Sequence, residues 1–252
     1  YAALAGRLLM AARVSGIAYG FQRVHAALQT GHVLTVQQQR QEPVRCFMQQ
    51  SMLDGACGTH VLAMILVIFD LAKASAMHDM SQRKHGVAAA VWKAFGPKYF
   101  AGIYAKEWAE LVNSLALPLK LTAKYGAAEH VDRHALDWLM RGELVALAFA
   151  SVKHQRTRHW ALAVGVEGVA SGSQHQPQRI LLLDPGGGEP SFQAFNARLR
   201  LPTTGLGSRR AKQLHLPVDD AKPWTVFWHY ESESWSAELV RLLAAVRVRK
   251  LQ

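Results

Sequence analysis

Gln50-Ser51-Met52-Leu53-Asp54-Gly55-Ala56-Cys57-Gly58-Thr59-His60 runs straight into an apolar stretch that continues from Val61 to Ala74. Asp54-Gly55 and Cys57-Gly58 are turn-forming pairs, and behind them Leu62, Ile65, Leu66, Phe69 and Ala72 recur at helical spacing. The spacing predicts a buried helix with a cysteine in its first turn. A thiol placed there faces unpaired backbone N–H groups and the positive end of the helix dipole, which favours the thiolate. An upstream glutamine, Gln50 or its neighbour Gln49, can supply an amide donor to an oxyanion. Taken alone, Cys57 reads better as a small buried core residue.

Outward from this stretch the pattern is helical on both sides. Residues 1–30 read as a helix with Leu4, Leu8, Leu9, Ala12 and Ile17 on one side, interrupted at Gly16 and Gly20. Gln37 to Pro43 reads as a polar loop and Val44–Met48 as a short strand. Beyond the cysteine helix, His78–Arg83 is a turn, Gly86–Phe95 a helix, Gly96-Pro97 a break and Ala105–Leu115 another helix. Leu119–Lys124 has strand composition, and Val131–Arg141 is again helical.

The period then shortens. Leu144–Ala150, Trp160–Val166 and Ile180–Leu183 are apolar runs of strand length, with the polar Gly168–Gln178 as a hairpin loop. Trp224–Tyr230 reads as a last strand, and Ser236–Leu251 as an amphipathic helix with Leu239, Leu242, Leu243 and Val246 on one face. Helices first and strands later predict one α+β domain over residues 1–252. It divides into a helical extension (1–45), a helical part with the cysteine helix (46–143) and a sheet part ending in a helix (144–252).

The 252 residues, half of them hydrophobic, suffice for a sizeable single core. The net charge of +11 points to anionic partners, an acidic peptide or protein substrate among them. The basic residues are scattered in short clusters at 153–158, 198–200, 209–212 and 247–250, without the aromatic interleaving of a single-strand platform. Nucleic acid is therefore the lesser expectation. Two cysteines, Cys46 and Cys57, make neither a disulfide framework nor a zinc site. They fit a reducing cytoplasm or a secreted enzyme that keeps a reactive thiol. The chain opens at Tyr1 without Met, which suggests a preceding segment, and its apolar runs are too broken or too short to span a membrane.

A reactive cysteine needs a base, and the base needs an orienting acceptor. Among twelve histidines, His159 stands out by position, at the mouth of the run Trp160-Ala-Leu-Ala-Val-Gly165. Asp184 holds the matching place at the end of the next run, Ile180-Leu-Leu-Leu-Asp184-Pro185-Gly186. A hairpin between the two runs would let Asp184 fix the tautomer of His159. Read singly, His159 is a strand-edge residue and Asp184-Pro185-Gly186 a routine turn. Gly186-Gly187-Gly188 lacks the continuation of a phosphate loop. His154 is the rival base, His60 reads as helix surface, Asp54 as a turn former, and Trp92, Trp108 and Trp138 as core or cleft wall.

In this order, Gln50…Cys57-Gly58, His159-Trp160-Ala-Leu-Ala-Val and Leu182-Leu-Asp184-Pro185 resemble the papain-like cysteine peptidases, and among them the double-glycine leader peptidases. The resemblance implies a cysteine-bearing helix packed on a mostly antiparallel sheet. It implies Cys57 as nucleophile, His159 as general base and acid, Asp184 as orienter, and the Gln50 amide with the Cys57 N–H as oxyanion donors. No metal or cofactor is called for. The step from Gln50 to Cys57 is one residue longer than the family pattern, and the helical region 75–140 and both ends are not covered by it. A protein deamidase or acyltransferase effector of bacterial type, or a silent peptide-binding module, would use the same constellation.

Overall fold

A computed structural model describes residues 18–38, 42–154, 157–201, 226–234 and 236–251. The first half of the expected amino-terminal helix, the start of the strand at Trp224 and the basic cluster 209–212 lie outside these residues. The described chain is a mixed α+β structure built around an antiparallel sheet.

Six strands close on themselves: β6 (Leu144–Ser151), β7 (Arg158–Ser171), β8 (Gln174–Leu183), β9 (Ala197–Arg200), β10 (Phe227–Ser232) and β11 (Glu238–Lys250). The order runs β7-β6-β11-β10-β9-β8, and β8 returns to pair with β7, forming a barrel. Two further strands extend the sheet. β1 (Ala18–Val24) pairs with the distal part of β7, and β5 (Leu119–Tyr125) with β11. Three two-residue strands, β2 (Leu28–Gln29), β3 (Thr35–Val36) and β4 (Val44–Arg45), form a separate small sheet.

β6, the inner part of β7 and the end of β8 are buried on both faces, which is why they read as unbroken apolar runs. Alternate residues such as Val145, Leu147, Ala161, Ile180, Leu182 and Trp228 share one cluster with the helix Val131–Met140. Their neighbours Leu144, Ala146, Leu162, Val164, Leu181 and Leu183 belong to a second cluster shared with the remaining helices.

The α-helices among the described residues are α1 (Cys57–Ile68), α2 (Ala74–His78), α3 (Gly86–Phe95), α4 (Ala105–Ser114) and α5 (Val131–Met140). In α1 every residue except His60 is buried, the signature of a helix inserted into a core rather than laid upon one. It packs chiefly on β7. Truncating Leu62, Ile65 or Leu66 to alanine is expected to cost about 2–5 kcal/mol each. None of the described helices is long and apolar enough to cross a membrane.

Three elements differ from the sequence reading. Residues 18–24 and 28–29, expected in a helix, form β1 and β2; β3 follows, and β4 falls at the start of the strand expected over Val44–Met48, so the described part of the extension to residue 45 is not helical. Residues 238–250, expected as an amphipathic helix, form β11. A bulge between Leu242 and Ala244 breaks the twofold alternation there and leaves a run that mimics helical spacing. The expected hairpin loop 168–178 is mostly paired strand. β7 and β8 continue past the core as a solvent-facing ladder, with the turn confined to Gly172 and its neighbours. Gly172 has φ +58, a conformation that suits glycine. The strand expected over Leu119–Lys124 is present as β5, within the otherwise helical part.

Candidate active site

β7 and β8 are hydrogen-bonded neighbours, with Leu162 opposite Leu183. That register sets His159, near the start of β7, beside Asp184, just past the end of β8. Nε2 of His159 lies 2.6 Å from Oδ1 of Asp184. An ionised carboxylate only accepts, so Nε2–H is the donor and Nδ1 is left facing Cys57, which lies near enough to help raise the ring's pKa, while the Cys57 thiol approaches the Gly55 carbonyl at 4.0 Å. Burial disfavours a charge on the imidazole. The Asp184 charge and hydrogen bond, with Cys57 behind them, outweigh it and hold the His159 pKa above its ordinary value.

Asp184 is 0% exposed. Burial pushes its carboxyl up, but the His159 charge and bond, then Tyr230 and the Gly186 N–H, keep it below the usual range. Oδ1 also accepts from the Gly186 N–H at 2.7 Å. Oδ2 accepts from the hydroxyl of Tyr230, which reaches it from β10 past the intervening β9. Asn196 grips the same turn through the backbone. Its Oδ1 accepts from Asp184 N at 2.7 Å, and its Nδ2 donates to the carbonyls of Asp184 and Gly188, both at 2.8 Å. Phe149 packs edge-on against His159 and beside Tyr230.

Cys57 is the first residue of α1 and is buried. The helix has no side-chain cap, so the amides of its first turn keep their donors for another partner. Asp54 shapes the approach: its carboxylate accepts from Ser51 N at 3.0 Å and Ala56 N at 2.9 Å. It therefore does form the turn. A Cβ on Gly58 would stand 2.8 Å from Ile103 Cγ2 and 3.1 Å from the Trp108 ring. Trp108 donates from Nε1 to the Gly58 carbonyl at 2.8 Å and stacks on Trp160, whose own Nε1 donates to the Ile103 carbonyl. The glycine after Cys57 thus lets two tryptophans close over the start of α1.

Gln50 is tied to the sheet side, its N–H donating to the Pro185 carbonyl at 2.7 Å. Its Nε2 donates to the Asp54 carbonyl at 2.7 Å, while its buried Oε1 has no hydrogen-bond partner. One bond does not exhaust an amide with two N–H groups. Gln49 is exposed, and so is His154, in the loop that joins β6 to β7. His60 differs from the surface role expected of it. It is half-buried, its Nε2 is enclosed without a partner, and burial lowers its pKa. Cys46 sits in the core with its thiol pushed up to about 12, chiefly by burial, and both cysteines are free.

The four residues singled out in the sequence thus gather where the start of α1 meets the β7–β8 seam: His159 is bonded to Asp184, Cys57 lies near the His159 ring, and Gln50 is tied to Pro185 beside Asp184. Tyr230 and Asn196 were not anticipated. Tyr230 closes an ordinary-looking strand and Asn196 sits in an unpatterned loop, so neither carries a local signal. Among the described residues, no group of three or more His, Cys, Asp or Glu is arranged to hold a metal ion. No family model matches the chain, and the curated proteins include no match.

Proposed function

We propose that the chain is a papain-like cysteine peptidase, akin to the double-glycine leader peptidases, which hydrolyses a peptide bond through Cys57, His159 and Asp184. The observation that carries this reading is His159. Its Nε2 is 2.6 Å from a fully buried carboxylate, and its ring lies close to the Cys57 thiol at an uncapped helix N-terminus, near enough for that thiol to help raise its pKa. The placement of α1 against an antiparallel sheet supports the same kinship.

His159 takes the thiol proton, and the Cys57 sulfur attacks the substrate carbonyl carbon to give a tetrahedral oxyanion. The Cys57 N–H and the Gln50 amide stabilise that oxygen. The C–N bond then breaks as His159 passes its proton to the leaving amine, and a thioester remains. Water attacks the thioester, His159 accepts its proton and returns it to the departing thiol. Asp184 keeps the imidazole in the working tautomer throughout.

The test has two parts. Iodoacetamide labelling read by mass spectrometry is expected to modify Cys57 quickly, Cys46 scarcely, and Cys57 slowly once His159 is alanine. A peptide library is then expected to show new termini. Glutamine-to-glutamate conversion without new termini would replace hydrolysis by deamidation, and labelling of Cys57 that ignores His159 would reduce the site to a peptide-binding cleft. The charge of +11 favours acidic substrates. Acidic peptides should be cleaved faster than neutral ones at low salt, and equal rates at low and high salt would remove that preference.

A further inference from the structure

We infer that Tyr230 is a positioning residue of the site, holding Asp184 as an acceptor-only carboxylate and so fixing the proton on Nε2 of His159. This rests on the proposed role of the Cys57–His159 pair. Asp184 has two oxygens and no contact with solvent. Oδ1 already receives His159 Nε2 and Gly186 N, and Oδ2 receives the Tyr230 hydroxyl. Both oxygens are therefore taken by donors. Three donors thus stabilise the ionised carboxyl, and a proton arriving on Oδ2 would compete with the Tyr230 hydroxyl.

The consequence reaches the thiol through the tautomer. If Asp184 were protonated on Oδ1, its O–H would donate to Nε2, and the neutral imidazole would carry its proton on Nδ1. That nitrogen faces Cys57 and could no longer accept the thiol proton. If the proton settled on Oδ2, the neutral acid would lose its hold on the imidazolium. The Tyr230 hydroxyl occupies Oδ2 and opposes that second route directly, and by stabilising the carboxylate it opposes the first.

The groups facing this relay are few. His159 comes from β7 and Cys57 from α1, Glu238 acts on Tyr230 from β11, and Ser232 hydrogen-bonds Tyr230 within β10. Phe149 supplies an apolar wall between His159 and Tyr230. Tyr230 itself is buried, and burial together with the Asp184 charge raises its pKa, so it remains a neutral donor.

The experiment is the pH profile of Cys57 alkylation by iodoacetamide in wild type, Tyr230→Phe, Phe149→Leu and His159→Ala. Loss of one hydrogen bond to a buried carboxylate is expected to move the acid limb of the profile upward by about one pH unit in Tyr230→Phe. Phe149→Leu, which alters packing and leaves both Asp184 oxygens occupied, is expected to keep the limb in place. A Tyr230→Phe profile superimposed on wild type, with Cys57 still dependent on His159, overturns the role of Tyr230 alone. Equal limb shifts in Tyr230→Phe and Phe149→Leu reduce it to packing and also overturn it. Cys57 reactivity that never depended on His159 overturns both this role and the proposed function.

Discussion

The two walls of the site are finished to different degrees. On the sheet side, the imidazole–carboxylate pair is well supported: Asp184 accepts from His159, Gly186 and Tyr230, and Asn196 holds the turn behind it. On the helix side, α1 is uncapped, Gln50 Oε1 and His60 Nε2 are enclosed without partners, and Met52 and Leu53 stand 99% and 90% exposed. A buried polar group left unpaired is costly, and such groups persist where something else is meant to complete them. The sheet wall is built to hold one protonation pattern. The helix wall leaves donors and acceptors open, as the proposed peptidase reading requires of a substrate-facing side.

Breaking the sheet wall should have the largest effect. His159→Ala is expected to slow peptide cleavage by about 10²–10⁴-fold, as loss of a general acid–base group does, with Cys57 labelling slowed in parallel. Cleavage kinetics with and without the substitution check this.

Asp184→Asn should follow, and it adds a pH signature. A raised His159 pKa contributes stability that is complete below the unfolded histidine value and is lost as pH climbs through the folded one. A lowered Asp184 pKa contributes stability that is complete above the unfolded carboxyl value and is lost as pH falls through the folded one. The deficit of Asp184→Asn, measured by thermal melts, is therefore expected to be greatest between about pH 4 and 6.5 and to narrow on either side. A deficit that is flat across pH would detach the pair from stability.

Weakening the helix wall should separate turnover from folding. Gln50→Ala is expected to lower kcat by about 10²-fold, the effect of removing one oxyanion donor, with little change in melting temperature. Unchanged kcat would assign the oxyanion to backbone amides alone. Gly58→Ala reverses the pattern. Its methyl group meets Ile103 and the two tryptophans, and overpacking of this kind costs about 1–3 kcal/mol, read as a lower denaturation midpoint. Least of all, Met52→Ser with Leu53→Ser should leave stability within about 0.5 kcal/mol. A rise in KM at constant kcat would identify that loop as a substrate contact.

How far the molecule could be read in advance follows from the same division. Cys57, His159 and Asp184 lie at element boundaries, where Gly, Pro and Asp punctuate apolar runs, and the boundaries were legible. Residues 86–95, 105–114 and 131–140 carry one-sided apolar spacing and fold as the helices that spacing predicts. β11 was not legible, because its bulge at Leu242–Ala244 and burial on both faces erase the alternation that marks a strand. β1 and the outer parts of β7 and β8 were missed for the opposite reason. Exposed polar residues there leave only backbone pairing to define them. Tyr230 meets Asp184 only because a barrel closes, and closure has no signature in a linear pattern.

That closure also orders events in time. β7 and β8 form a hairpin and can meet as soon as both have been made, whereas β6 must wait for β11, with Val145 finding Arg247 near the end of the chain. Local pairings close small loops and form first, and distant ones follow. His159 and Asp184 should thus come together early, with Cys57 joining only when α1 docks on the assembled sheet. Until α1 docks on the sheet the thiol lies apart from His159, so on the proposed reading a partly folded chain is expected to be harmless to its neighbours. Pulse labelling of Cys57 during refolding, with its fast reactivity appearing only in the final kinetic phase, checks that sequence of events.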